Sequence, residues 1–159
     1  MMLDAERDLE ISRIIKAPRS AIWAAWTMPE QFAKWWIPAP MTCRIITMDV
    51  RPGGALVTEM SEDGTTFGPH MDACYLAVEP ERSLVFTNNL VGGWRPADNP
   101  FLAMTGEIVL EEHPDGTLYR ATARHGSGAA RDKHDELGFY DGWGTVTAQL
   151  AALVEAGRD

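Results

Sequence analysis

Residues 134–154 read HDELGFYDGWGTVTAQLAALV, the centre of a helix expected from about Ala129 to Ala156. Phe139, Trp143, Val146, Leu150 and Leu153 recur at i, i+4, i+7, i+11 and i+14, an apolar stripe of helical period. Tyr140, Thr147 and Val154 widen it, whereas Asp132, Lys133, Asp135, Glu136, Gln149 and Glu155 suit a solvated face. At about 1.5 Å per residue the helix would run roughly 40 Å, enough to cross a small domain. Glycines flank Trp143, and each costs about 1 kcal/mol relative to alanine inside a helix. Gly142 and Gly144 therefore imply either close backbone approach or room for another group.

Upstream, the pattern changes to strands. Asp8 to Lys16 (DLEISRIIK) alternates at Leu9 and Ile11 and turns apolar at Ile14 and Ile15, a first strand with a bulge. Pro18 opens a short helix through Ile22, Trp23 and Trp26. Thr27 to Glu30 (TMPE) has capping-box spacing for a second, through Phe32 and Trp35, stopped by Pro38 and Pro40. Candidate strands then follow at 42–50, 55–61, 67–78, 84–88, 102–112 and 117–125. Between them stand turn signals such as Arg51-Pro52-Gly53-Gly54, Glu62-Asp63-Gly64 and Pro114-Asp115-Gly116. Asn89 to Pro100 (NLVGGWRPADNP) reads as a loop, and Gly126-Ser127-Gly128 releases the chain into the final helix. The order predicts an α+β fold: a meandering antiparallel sheet of six or seven strands, apolar on one face, with the last helix across it. No repeat or linker interrupts it, so residues 1–159 are expected to form one domain.

Composition narrows the function classes. A net charge of −9 argues against nucleic acid and anionic membrane surfaces. No apolar run approaches a bilayer span, and MMLDAERDLE lacks the features of a signal peptide. With Cys43 and Cys74 read as free thiols, a cytoplasmic protein is expected. Six tryptophans and eight methionines are many for 159 residues, and both types line adaptable apolar cavities.

Ala17-Pro18 with Trp23, Trp35-Trp36, Asp49-Val50-Arg51-Pro52-Gly53-Gly54, Pro80-Glu81-Arg82 with Leu84-Val85-Phe86-Thr87, and Gly142-Trp143 follow one another in order. Together they resemble the activator of heat-shock-protein-90 ATPase homologue family, within the START-like helix-grip (SRPBCC) superfamily. The likeness runs from about residue 8 to residue 155. Departures fall at Ile37-Pro38, where the family often has Gly-Pro, and at Cys74 and Asn88, where aromatic residues are common. The resemblance implies a space between the sheet and the long helix. The co-chaperones that name the family also carry an N-terminal domain for which 159 residues leave no room, so a chaperone partner is the weaker expectation.

With the family's strand phase, Met48, Leu56, Thr58, Met60, Leu84, Phe86, Asn88, Met104, Ile108, Leu110, Tyr119, Ala121, Ala123 and His125 face inward. Glu107, Arg120, Thr122 and Arg124 face outward. Ala121, Ala123 and Gly106 are small where the helix should press, so bulky helix residues fill that space or a pocket remains. The expected ligand-binding residues are Trp35, Trp36, Met48, Met60, Phe86, Asn88, Trp94, Met104, Tyr119, Ala121, Ala123, His125, Phe139, Tyr140 and Trp143. Trp35, Trp36 and the Trp94 loop would frame the mouth.

Other chemistry is thinly supported. His70, Asp72 and Cys74 alternate along one strand, yet lack a fourth ligand, and no metal or cofactor is expected. His125 is the weak catalytic candidate, as an acid or base at a strand end. No nucleophile elbow or phosphate loop occurs. The leading expectation is non-catalytic binding of a small hydrophobic or amphipathic molecule. The alternatives are a cyclase- or hydrolase-like enzyme assisted by His125, Tyr119 or Tyr140, and a modulator of a chaperone ATPase. A homodimer is open.

Overall fold

Alternating apolar residues on residues 105–124 close across Pro114-Asp115, and this hairpin supplies two inner strands of the sheet. The computed structural model describes residues 2–156. In chain order the elements are β1 (Asp8–Ile15), α1 (Arg19–Thr27), α2 (Pro29–Phe32), β2 (Thr42–Met48), β3 (Ala55–Ser61), β4 (Gly68–Glu79) and β5 (Ser83–Thr87). They continue with β6 (Leu90–Val91), β7 (Arg95–Pro96), β8 (Thr105–His113), β9 (Gly116–Arg124), α3 (Gly128–Glu136) and α4 (Phe139–Glu155). Seven strands form one antiparallel sheet in the order β1-β9-β8-β5-β4-β3-β2. Gly116 turns the β8–β9 hairpin at φ 139°, where an added Cβ would lie 2.2 Å from the Ile15 carbonyl oxygen.

The expected inward phase holds. Leu56, Thr58, Leu84, Phe86, Met104, Ile108, Leu110, Tyr119, Ala121, Ala123 and His125 are buried, and Met48, Met60 and Asn88 are partly so. On the outer face, Arg124 bridges Asp8 at 2.9 Å and Glu107 at 2.8 Å, tying three strands together. Thr122, expected on that solvated face, is buried and donates to Glu10 instead.

Four local expectations are corrected. The terminal helix is not continuous: α3 ends in the Leu137-Gly138 turn, and α4 starts after Gly138 at φ 100°. In one unbroken helix His134 and Phe139 would lie about 140° apart around the axis. The break lets both turn inward, with ring centroids 5.2 Å apart. The 17-residue α4 is about 25 Å long rather than 40 Å. The Thr27 capping box does not form: Thr27 closes α1 by donating to the Trp23 carbonyl, and α2 begins at Pro29 after a Met28 N-cap. Pro18 is the N-cap of α1 rather than a helical residue. Finally, β1 pairs with β9 without interruption, and the register shifts lie where β2, β4 and their neighbours meet.

The 89–100 loop contains the short β6–β7 hairpin and folds back over β3. A Cβ on Gly92 would lie 2.7 Å from the Ala55 Cβ, and one on Gly53 would lie 2.4 Å from Trp94 Nε1. Ala55 precedes the inward Leu56, so this loop covers the outer face of the sheet, over Ala55 and the buried Cys74 with which it pairs.

Candidate functional site

The helical segment after β1 is tryptophan-rich, and its side chains decide how much space is left under α4. Trp26, Phe32, Trp35, Trp36 and Phe86 form one aromatic cluster, with centroid separations from 4.7 to 6.3 Å. Trp26 Nε1 donates to the Tyr119 hydroxyl at 3.2 Å, and Trp35 Nε1 donates to the Ala25 carbonyl at 2.9 Å. A Cβ on Gly106 would stand 2.6 Å from Phe86 Cζ, so the phenyl ring occupies the room this glycine leaves. The deep space above β8 and β9 is filled by rings. Trp35 and Trp36, expected at a mouth, are 1% and 5% exposed and belong to this interior.

The other half of the sheet is covered less. α4 packs chiefly on β1, α1 and α3. Pairings of Cys43 with Met60, Ile45 with Thr58, Met48 with Leu56, and Thr58 with Met71 place these side chains on one face of β2–β3–β4. Cys43, Ile45, Met48, Met60 and Met71 are only partly buried against the core. They form a partly covered apolar face of flexible, polarisable side chains, a surface that adapts to apolar shapes. Nearby, Trp36 is set edge-on to the half-buried Trp143 of α4 at 5.9 Å and to His70 of β4 at 6.1 Å.

Polar groups in this region are few. The residue left over by the β3–β4 register shift is His70, and its Nδ1 lies 2.9 Å from the Thr58 hydroxyl. Desolvation by its neighbours draws the His70 pKa below the ordinary value. Burial raises the Cys43 thiol to about 11. Trp36 Nε1 is buried without a hydrogen-bond partner, and so is the Thr147 hydroxyl of α4. Gln149 of the same helix donates to the Trp35 and Ile37 carbonyls, fixing α4 across the segment that carries Trp36.

A second polar feature lies at the start of α3. His125 Nδ1 is 2.8 Å from the Arg7 carbonyl oxygen, which only accepts, so this nitrogen carries the proton. In neutral His125, Nε2 is then the acceptor for His134 Nδ1–H at 2.8 Å. Both nitrogens of His125 are engaged by protein groups. Desolvation, then the neighbouring His125, lowers the His134 pKa to about 4.

Of the predicted site residues, Met48 and Met60 lie on this partly covered face, and Trp36 meets Trp143 edge-on. Phe86, Met104, Tyr119, Ala121, Ala123, Trp35 and Phe139 lie in the filled interior. Tyr140 is 49% exposed. Asn88 is used structurally, donating to the Phe101 and Leu102 carbonyls and accepting from Met104 N–H. Trp94 lies against Gly53, with the loop that covers the outer face. Sequence reading missed Cys43, Ile45, Met71 and the place of His70. Apolar alternation marks the first two, whereas the register shift at His70 leaves no local signal. His70 bonds Thr58 while Asp72 pairs with Val57, and no cluster of three metal-ligating side chains occurs among the described residues.

Two open clefts lie elsewhere, near the start of α1. The one of about 500 Å³ is lined by Arg19, Glu81, Glu112 and His113 and bridged by the 3.3 Å Arg19–Glu112 pair. It is polar and exposed, unlike the methionine-lined face.

A seven-stranded antiparallel sheet holding a C-terminal helix, with two short helices after the first strand, defines a START-like helix-grip protein. The chain belongs to the Activator of Hsp90 ATPase homolog 1-like family, whose sequence profile matches residues 16–155. A crystal structure of a Nitrosomonas europaea protein is 35% identical, with a TM-score of 0.90 over 99% of each chain. A Mycobacterium smegmatis crystal structure is 22% identical, with a TM-score of 0.75 over 94% of this chain and 91% of that one. The solution structure of an AHSA1-like protein from Aeromonas hydrophila is 18% identical, with a TM-score of 0.69 over 95% and 94%. No curated protein matches the chain. No described helix is long and apolar enough to cross a membrane.

Proposed function

We propose that this protein binds a small hydrophobic or amphipathic molecule between the sheet and α4, over the methionine-lined face of β2–β3–β4. The carrying observation is the half-sheet that α4 leaves partly uncovered, where five sulfur-bearing or aliphatic side chains sit only partly buried. Mostly apolar lining with a few polar groups is the usual make-up of a small-molecule site. An enzymatic reading has less support, since both nitrogens of His125 are engaged and Tyr119 is fully buried.

The test is a titration of the full chain with apolar compounds, read by tryptophan fluorescence and native mass spectrometry. Binding should shift the emission, and Ile45→Glu should abolish it by placing a charge on this apolar face. Absence of any bound species at millimolar ligand, or undiminished binding by Ile45→Glu, overturns the reading.

A further inference from the structure

We infer that His70 selects the molecule held on the methionine-lined face: its free ring nitrogen hydrogen-bonds a hydroxyl on an otherwise apolar, uncharged ligand, an alcohol or a phenol. The inference rests on the binding reading above and adds the chemical class of the ligand.

Register brings His70 to this face. Ile45 of β2 pairs with Thr58 of β3, and Thr58 pairs with Met71 of β4, so the three side chains form one row across the strands. His70, the extra residue of the β3–β4 register shift, stands beside that row. Its Nδ1 lies 2.9 Å from the hydroxyl of Thr58, which is 1% exposed, whereas His70 itself is exposed. With Nδ1 turned down to Thr58, Nε2 is the polar atom left on the open side of the ring. It has no hydrogen-bond partner among the described residues. The other polar group on the face is the Cys43 thiol, opposite Met60, and a thiol is only a weak donor and acceptor.

The Thr58–His70 contact sets what Nε2 can bond. A hydroxyl donates to Nδ1 or accepts from it, so both neutral tautomers suit this contact. Nε2 is an N–H donor in one tautomer and an acceptor in the other. A ligand hydroxyl matches both, because it too donates and accepts, whereas a ketone or ester oxygen matches only one. The surroundings disfavour a charged ligand. On these strands Arg44 and Glu59 pair with each other on the opposite face, and Asp72 lies there too, opposite Val57. Desolvation lowers the His70 pKa, and burial raises the Cys43 thiol to about 11, so both are uncharged at neutral pH. An anion would lose hydration without gaining a cation, in a protein of net charge −9, and a cation would find no carboxylate on this face.

Three ligands of one shape separate the cases at neutral pH: 4-propylphenol, propylbenzene and 4-propylbenzoate, titrated into the full chain by calorimetry. His70→Phe keeps an aromatic ring beside Trp36 and removes the nitrogen. It should weaken 4-propylphenol about 5-fold, the worth of roughly one hydrogen bond, and leave propylbenzene unchanged. A merely structural role would weaken both alike, and that result overturns the inference. In the unmodified protein, the nitrogen resonances of the His70 ring should shift more at saturation with 4-propylphenol than with propylbenzene, a readout that needs no variant. Equal shifts, or none, overturn it as well. 4-Propylbenzoate should bind about 10-fold or more weakly than the phenol. Equal or tighter binding of the benzoate, or binding of propylbenzene alone, overturns the ligand class and leaves the face as a site. If none of the three binds, the reading of the face itself fails.

Discussion

At His134 a single proton bears on how the last fifth of the chain meets the sheet. Its ring donates to His125, which donates to the Arg7 carbonyl, so α3, β9 and the segment before β1 are linked by two hydrogen bonds. The charged groups around it are Asp135 on its own helix and, across the contact, the titratable His125. The folded pKa of about 4 lies below the ordinary 6.5. As pH falls, the unfolded chain therefore takes up this proton first. The stability contributed by neutral His134 is complete above about pH 6.5 and is lost between there and about pH 4, on the order of 3 kcal/mol. Urea midpoints measured across that window should fall with acid, and the fall should be shallower in His134→Gln. Equal slopes for the two proteins would remove His134 from the account. The sequence marked His125 as the inward histidine, but it could not pair it with His134. That pairing needs the Gly138 break, which turns His134 toward the strand.

At the scale of elements, α4 resolves the ambiguity of its glycines. A Cβ built on Gly142 or Gly144 meets nothing within 4 Å, so neither is required for close backbone approach. Gly144 is exposed, and Gly144→Ala should stabilise the protein by about 0.5–1 kcal/mol through helix propensity and reduced freedom of the unfolded chain. Thermal or urea unfolding checks this, and a loss of stability would mean that the helix needs the glycine for reasons packing does not reveal. The aromatic segment from Trp26 to Trp36 behaves in the opposite way. Trp35 and Trp36 are expected at the mouth of a pocket, and they belong instead to the filling of the interior. Local pattern reports that such residues are apolar, but their depth depends on how the α1–α2 pair folds back under α4.

Across the whole molecule, β1 is the strand that joins the chain's ends. It pairs along its full length with β9, and α4 rests on it. Leu9 and Ile15 are buried there, and the Lys16 N–H donates to Glu155 near the end of α4 at 2.8 Å. A chain beginning at Lys16 would expose the β9 edge, remove the Arg7 acceptor of His125 and leave α4 without its floor. Such a truncation should lose cooperative urea unfolding and near-ultraviolet circular dichroism. Retention of a sharp transition would show that β1 is an accessory strand.

The succession of strands along the chain and the α+β layering are legible from alternation and turn residues, and the inward phase of β3, β5, β8 and β9 from alternation set in the family's phase; the place of β1 beside β9 is not. They follow from the backbone itself, because side chains alternate along a strand whatever partner it finds. The family was legible for a related reason, since its turns and tryptophans sit at fixed places along the chain. Tertiary structure alone decided the break before α4, the inward turn of His70, the outer-face position of the Trp94 loop, and which tryptophan is left without an acceptor. Each depends on register or contact between residues far apart in sequence. The Trp26–Tyr119 bond spans 93 positions and the His125–Arg7 bond 118, and no local pattern encodes either. The stripe on residues 139–154 says that a helix covers the sheet; which half it leaves open was settled only when β1, α1 and α3 took up its apolar face.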